Sequence, residues 1–204
     1  MEIKEKIEER NEDKIHDKSL ELLKSLNINL NDPNFKDSPG RISNWLEEFT
    51  NPYNEKDAVK HLRRTFPTIS DAMECVGPVT VKMLCPHHFL PAIIKVWLIF
   101  IPEQEGERKV VGLSKIPRFL VELGKFPQLQ EDYAAKARNL FMKHVRPHAC
   151  LIYTVGLHTC MFFRGIEDPQ TIVKISSASE RFRDDRELEM RAYQMIRSGE
   201  IRLV

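Results

Sequence analysis

The sequence predicts an α+β fold, in which an antiparallel sheet carries helices on one face. Two segments, Val79–Leu84 and Ile93–Ile101, have the alternating or branched apolar patterns of strands. Helical patterns come before and after them. We expect an N-terminal helical segment over residues 1–55 and a domain that contains the sheet over residues 56–204.

The N-terminal segment is polar and has one narrow apolar stripe. The stripe consists of Ile15, Leu22, Leu23 and Leu26. This spacing places the four side chains on one face of a helix. The Asn-, Asp- and Pro-rich stretch at 27–39 should end that helix, and a second short helix is expected from Arg41 to Phe49. With so little apolar surface of its own, the segment is expected to dock on the rest of the chain or on another subunit.

The first two strands are predicted to form a pair. Val79–Leu84 follows a Gly-Pro step, and Ile93–Ile101 ends at Pro102. The connection between them is Cys85–Pro91. The polar run at 103–109 indicates a loop.

The second half returns to helices and then to a strand. Helices are expected at Pro117–Gly124, where the proline suits a first turn, and at Gln128–Lys143. The apolar run Cys150–Phe163 predicts one strand or a pair of strands, with Gly156 as a candidate bulge. A last helix is expected at Asp185–Ile196.

Composition excludes several functional classes. The 204 residues carry 31 Lys and Arg against 30 Asp and Glu, for a formal net charge of +1. This balance gives no bulk attraction to nucleic acid or to an anionic membrane, so any anion site must be local. Lys95 interrupts the most apolar stretch, so no membrane span is expected. The charged N-terminus lacks the apolar core of a secretory signal, and we expect a cytoplasmic protein.

Neither the cysteines nor the glycines form a familiar scaffold or loop motif. Four Cys at positions 75, 85, 150 and 160 are too sparse for a disulfide framework. In a reducing compartment, such thiols are more often buried, catalytic or metal-bound. No strand-bounded GxGxxG or GxxxxGK motif is present, which argues against a Rossmann dinucleotide site and a P-loop.

Cysteine and histidine concentrate in two short segments. Cys85 stands before the pair His87 and His88, and His158 lies two residues before Cys160. Thiolate and imidazole are the ligands that Zn²⁺ prefers. If the second segment is extended, the two-residue period of a strand places His158 and Cys160 on one face, where they could meet the first segment.

Three interpretations of these residues stay open at this point. Cys160 and His158 could be ordinary core residues, since a free Cys often packs as a small apolar group. Four of the five groups could form a structural zinc site. Alternatively, three could hold a catalytic zinc while two histidines remain for proton transfer, which is hydrolase chemistry.

A second set of residues is cationic and lies near expected helix starts. Ser114 and Lys115 follow a glycine, Arg118 comes three residues later, and Arg164 follows the second Cys segment. Backbone amides at a helix N-terminus together with Lys and Arg suit phosphate binding, although each residue alone could be an ordinary surface charge.

Gln130 and Glu131 stand at the start of a predicted helix. The carboxylate could simply complement the helix dipole. Alternatively, a carboxylate beside an amide could take the paired N–H donors of a guanine edge.

The order and spacing of six motifs resemble the GTP cyclohydrolase I family, from about residue 31 to the C-terminus. The motifs are CPHHFLP at 85–91, IFIP at 99–102, VVGLSKIPR at 110–118, PQLQE at 127–131, LHTCMFFRG at 157–165 and NDPNFKDSPGR at 31–41. The chain departs from the usual family pattern at Pro86, where Glu is common, at Ala92–Ile94, where a Gly is usual, and at Phe126, where Arg is common.

The resemblance implies a role for each candidate residue. It makes Cys85, His88 and Cys160 the Zn²⁺ ligands and His87 and His158 the proton-transfer residues. It also implies that Ser114, Lys115, Arg118 and Arg164 bind the triphosphate of GTP, that Arg41 reaches a neighbouring subunit's site, and that Glu131 beside Gln130 anchors guanine. The implied reaction opens the purine ring at C8, releases formate and forms dihydroneopterin triphosphate.

The resemblance also implies the tunnelling fold (T-fold), in which sheets of several subunits close into a barrel with active sites between subunits. A homodecamer of two stacked pentamers is therefore expected, with no nucleic-acid or membrane partner. The alternative is a non-catalytic T-fold module that binds a nucleotide and holds zinc for structure. The implied product could serve folate, biopterin or deazaguanine synthesis.

Overall fold

The computed structural model describes residues 12–104, 106 and 108–198. By contacts the chain divides into two compact units, one ending at Thr50 and the other beginning at Asn51. No helix within the described residues is both long enough and apolar enough to cross a membrane.

The N-terminal unit is a pair of helices. Helix α1 spans Glu12–Ser25 and helix α2 spans Ser38–Glu48, so both predicted helices are confirmed. The part of the first prediction that falls on residues 1–11 lies outside the described residues. Leu22 and Leu26 of the predicted stripe are exposed. An apolar groove of about 380 Å³ opens in this unit. Its lining consists of Leu23, Ile28, Phe35, Ser38, Arg41, Ile42 and Trp45.

The second unit is built on a four-stranded antiparallel sheet of order β2-β3-β5-β6. These strands are β2 (Glu74–Leu84), β3 (Pro91–Ile101), β5 (Ala149–His158) and β6 (Val173–Ala178). A separate two-stranded sheet pairs β1 (Thr65–Pro67) with β4 (Lys109–Val111). The helices are α3 (Asn54–Lys60, followed by a 3-10 turn at His61–Arg63), α4 (Lys115–Leu123), α5 (Gln130–Val145), α6 (Thr159–Phe162), α7 (Glu180–Asp184) and α8 (Arg186–Ser198).

Helices α4 and α5 cover one face of the large sheet. Alternate residues of β3, among them Val96, Leu98 and Phe100, join the side chains of these helices in one buried cluster. The Phe100 and Phe141 rings lie 5.2 Å apart at 61°, an edge-on geometry that favours aromatic pairs. This arrangement confirms the predicted α+β fold, with an antiparallel sheet that carries α4 and α5 on this face.

The C-terminal helices add a smaller layer that the sequence did not indicate. The residues of β3 that point the other way, Trp97, Ile99 and Ile101, pack in a second cluster with Phe182 of α7 and Ala192 of α8. The predicted C-terminal helix is thus confirmed, and its Ala192 and Ile196 are buried on the opposite face of the sheet.

Two sequence expectations differ from the structure. Gly156 is not a bulge, since β3 pairs with β5 in unbroken register past it. The irregularity lies instead in β2, between Val76 and Val79, around the cis Gly77–Pro78 peptide. Cys160 does not continue a strand, because β5 ends at His158 and a helical turn begins at Thr159. The expected division into residues 1–55 and 56–204 stays a prediction.

Candidate active site

The first Cys-His segment forms the turn between β2 and β3. The Cys85 N–H donates to the Leu90 carbonyl at 2.9 Å, and the Phe89 N–H donates to the Cys85 carbonyl at 2.8 Å. Phe89 takes a left-handed conformation with φ of 53°, which lets the chain reverse tightly into β3. The turn therefore holds Cys85 and His88 at the end of the sheet, with the Cys85 thiol buried.

The second segment arrives at the same end of the sheet through strand register. Ala92 of β3 pairs with Met83 of β2 on one side and with His158 of β5 on the other. Just past β5, the Thr159 hydroxyl donates to the Pro91 carbonyl at 2.6 Å. These links start helix α6 beside the β2–β3 turn and bring Cys160 to Cys85.

The three predicted metal ligands form one cluster. The Sγ atoms of Cys85 and Cys160 and a ring nitrogen of His88 all lie within 4.8 Å of one another. The Cys85 Sγ is 3.6 Å from the His88 Nδ1. Tetrahedral zinc with bonds of about 2.3 Å to sulfur and 2.0–2.1 Å to nitrogen needs S···N spacings of about 3.6 Å. The donor set and its spacing therefore fit Zn²⁺.

The electrostatics of the cluster also favour a cation. Burial raises the pKa of the Cys160 thiol, and the neighbouring Cys85 thiol raises it further. Arg164 acts in the opposite direction on the same thiol, which places its guanidinium near the cluster. Two adjacent thiols resist becoming two adjacent thiolates, and a divalent cation between them removes that penalty.

The two remaining histidines lie beside the cluster in different environments. The His87 Nδ1 is 4.0 Å from the Cys85 Sγ, and its side chain is exposed. His158 is half-buried, and burial lowers the pKa of its imidazole while the Glu131 carboxylate partly offsets that effect. Glu131 is exposed in the first turn of α5, so the structure brings a carboxylate to the neighbourhood of His158.

Gln130 occupies a position that the sequence did not predict. It is only 1% exposed, and its Oε1 lies 2.8 Å from the Nε2 of His158. Its Nε2 donates to the Thr154 hydroxyl at 2.7 Å and to the Val173 carbonyl at 3.2 Å. The expectation that this amide binds guanine is therefore revised, because its hydrogen bonds are made within the protein. The one signal of this buried position in the sequence is Gly156 in β5, because the Gln130 amide packs against this glycine.

Three of the predicted phosphate-binding residues cluster at the start of α4. Ser114 immediately precedes the helix, and Lys115 and Arg118 lie one turn apart on it. Gly112, just before them, packs against Phe66 of the two-stranded sheet.

These residues are available to an anion but are not joined to the cluster. Within the part of the chain that the structure describes, Lys115, Arg118 and Arg164 form no ion pair, and no hydrogen bond links Ser114, Lys115 or Arg118 to the metal cluster. Arg41 belongs to the N-terminal unit, where it is 3.6 Å from Asp37. A single chain thus assembles the metal cluster and the two histidines, and Ser114, Lys115 and Arg118 lie together at the start of α4.

The fold and this site define a class of protein: an α+β chain that holds a zinc-type Cys-His-Cys cluster next to an oriented, half-buried histidine. The model of the family described as GTP cyclohydrolase I matches residues 15–197. The chain belongs to this family.

Curated relatives agree with that assignment. GTP cyclohydrolase 1 of Finegoldia magna is 32% identical over 168 residues, which cover 81% of this chain and 89% of the relative. The proteins of the same name from Pelotomaculum thermopropionicum and Clostridium perfringens are each 28% identical, covering 86% and 90% of this chain and 92% and 97% of their own lengths. The apo structure of an archaeosine synthase QueF-Like protein aligns with 54% of this chain and 95% of that chain, at 14% identity and a TM-score of 0.41, a likeness too distant to bear on function.

Proposed function

We propose that this protein is a zinc-dependent GTP cyclohydrolase that converts GTP and water into 7,8-dihydroneopterin triphosphate and formate. The observation that carries the proposal is the Cys85–His88–Cys160 cluster, whose ligand atoms lie within 4.8 Å of one another beside His158. Family membership supports GTP as the substrate. The cluster supports zinc-dependent hydrolysis, because its three ligands are present in this chain.

Cys85, His88 and Cys160 are the residues that would hold the metal. When bound, zinc with three protein ligands supplies a Lewis acid and an acidified water, which suits attack on an electron-poor ring carbon such as C8 of guanine. The remaining groups of the site belong to the chain itself.

His158 is proposed to donate a proton to the ring nitrogen as the bond to C8 breaks. Its half-buried imidazole next to Glu131 suits that role, because burial favours the neutral form that remains once the proton has left. The exposed His87 on the other side of the Cys85 thiol is proposed as the second proton-transfer group.

Glu131 is proposed to anchor the guanine base. An ionised carboxylate accepts two parallel hydrogen bonds, which matches the N1–H and exocyclic N–H donors on one edge of guanine. It is exposed in the first turn of α5 and makes no ion pair or side-chain hydrogen bond with the residues that the structure describes. Its electrostatic effect on His158 indicates that base and acid would be adjacent.

The triphosphate is proposed to bind Ser114, Lys115, Arg118 and Arg164, with Arg41 reaching in from a neighbouring subunit. The protein is further proposed to form a homodecamer of two pentamers, in which active sites lie between T-fold subunits. The reaction would be the first step of folate or other pterin synthesis, or of deazaguanine synthesis.

Incubation of the zinc-loaded protein with GTP tests the proposal. We expect formate and a fluorescent dihydropterin in equal amounts. No formate should be released from ATP, and none from GTP after zinc is removed with a chelator. Stoichiometric zinc without formate or pterin would instead support the non-catalytic module with a structural metal.

A further inference from the structure

Gln130 lies against the backbone of β5 in a space that only glycine leaves open. A Cβ placed on Gly156 would approach the Gln130 Oε1 to 2.4 Å and the Ile94 Cγ2 to 2.7 Å. Both neighbours are fixed, since Ile94 is fully buried and the Gln130 amide is bonded on both sides. The strand is thus shaped to hold the amide beside His158.

The hydrogen bonds around this amide can be satisfied in one orientation. The carbonyl of Val173 only accepts, so the amide group facing it at 3.2 Å must be the NH₂ of Gln130. That NH₂ also donates to the Thr154 hydroxyl, which is fully buried. The oxygen of Gln130 therefore faces the imidazole of His158.

The Gln130 oxygen in turn decides which nitrogen of His158 carries a hydrogen. An amide oxygen only accepts, so the Nε2 of His158, at 2.8 Å from it, must carry a hydrogen. A neutral imidazole has one N–H, and the hydrogen bond at one nitrogen decides which tautomer is present. The neutral ring consequently keeps its hydrogen on Nε2 and leaves Nδ1 with a free lone pair.

We propose that Gln130 is a positioning residue, which fixes the Nε2–H tautomer of His158 and makes Nδ1 the atom that exchanges the catalytic proton. The inference rests on the proposed function of His158 as the proton donor. The protonated ring gives its Nδ1 proton to the substrate nitrogen and becomes the neutral Nε2–H form. The bond to Gln130 is present before and after transfer, so the ring does not turn during the reaction.

Nitrogen NMR on the zinc-loaded protein, with ¹⁵N-labelled histidine, tests the tautomer directly. The signals of His158 are identified by their loss in His158→Ala. We expect a protonated Nε2 and an unprotonated Nδ1 in the neutral ring of the wild type. A hydrogen on Nδ1 would overturn the proposal, whether or not the protein turns over GTP, so this result is independent of the proposed function.

Gln130→Met keeps the side-chain length and removes both hydrogen-bonding groups. We expect mixed tautomers of His158, unchanged zinc content and a kcat lower by about 10- to 100-fold, the range typical for partners that orient active-site ligands. The KM for GTP should stay within about twofold, because the amide does not contact substrate. A raised KM with unchanged kcat would show that Gln130 binds substrate and would overturn the inference.

Gln128→Met is the matched control. Gln128 is also buried, and its Nε2 donates to the Leu123 and Phe126 carbonyls. Among the described residues, it makes no hydrogen bond to a histidine. It should alter stability and leave the His158 tautomer as in the wild type. Equal changes in tautomer for both variants would assign the Gln130 effect to general loosening of the core and contradict the proposal.

Discussion

The Sγ of Cys85 lies 3.6 Å from the Nδ1 of His88, across one tight turn between two strands. This spacing equals the S···N separation of about 3.6 Å that a tetrahedral zinc site requires. The turn is held by its own backbone hydrogen bonds and by the sheet, so the two ligands are positioned by the fold before any metal binds.

Replacing Cys160 with Ser should therefore abolish zinc binding without unfolding the protein. The remaining Cys85 and His88 leave the metal with two ligands, and we expect a loss of affinity beyond the 10- to 100-fold typical of second-layer partners. Zinc content after gel filtration and competition with a chromophoric chelator measure the effect. Cys75→Ser is the control, since its half-buried thiol lies outside the cluster. Full zinc content in Cys160→Ser would remove Cys160 from the ligand set.

His158→Ala should separate chemistry from metal binding. The ligand atoms of the cluster do not include this ring, so zinc content should match the wild type. Loss of a proton donor typically costs about 10²- to 10⁴-fold in rate, and we expect formate release to fall by that factor. His144→Ala, at an exposed position near the end of α5, should keep full activity. If zinc is lost together with activity, His158 is a ligand rather than an acid.

The candidate ligands could be found from sequence because metal sites demand particular residue types. Residue type and spacing alone identify Cys85, His88 and Cys160 as candidates. Their meeting point depends on the register that pairs Ala92 with His158, which is a long-range property of the sheet. The helical turn that begins at Thr159 was missed because the local pattern continues a strand.

The role of Gln130 could not be predicted from its neighbours in sequence. Gln130 and Glu131 are adjacent at a helix start, but one is buried and the other exposed, and only the position of β5 decides which. Strands β1 and β4 have three residues each, which is too short for an alternating pattern to be recognised in the sequence. Long elements with clear patterns, such as β3 and α5, were predicted well.

Acid stability should depend on Asp57 in α3. The hydrogen bond from Lys60, and next that from Asn51, lowers the pKa of this carboxyl below its ordinary value. Because the folded pKa lies below the unfolded one, the carboxylate stabilises the fold fully above the unfolded pKa, about 3.9. That contribution is lost as the pH falls through the folded pKa.

Thermal melts of Asp57→Asn against the wild type should show this dependence. We expect a lower Tm for the variant at pH 7 and a difference that narrows as the pH falls below about 4. Asp71→Asn is the control, since the Asp71 carboxylate has no ion pair or side-chain hydrogen bond within the described residues. A Tm difference that is constant from pH 7 to pH 3 would contradict the assigned role of the carboxylate.

Lys115 and His158 together allow a test of active sites shared between subunits. Lys115 stands at the start of α4, next to the residues that pack on the two-stranded sheet, and no hydrogen bond or ion pair within the described residues ties it to His158. In a shared site, one subunit supplies the metal cluster and His158, and its neighbour supplies Lys115. The Lys115→Ala and His158→Ala substitutions then affect residues that two different chains contribute to each site.

Mixed oligomers of the two inactive variants should therefore regain activity. With random mixing at equal amounts, about one quarter of the sites combine an intact His158 from one subunit with an intact Lys115 from its neighbour. We expect GTP turnover near that fraction of the wild-type rate after co-expression, while each variant alone stays low. Mixing His158→Ala with Cys160→Ser is the control, because both defects lie in the same half of the site and no combination restores it. If Lys115 and His158 act within a single chain, every site in the first mixture carries a defect and no activity returns.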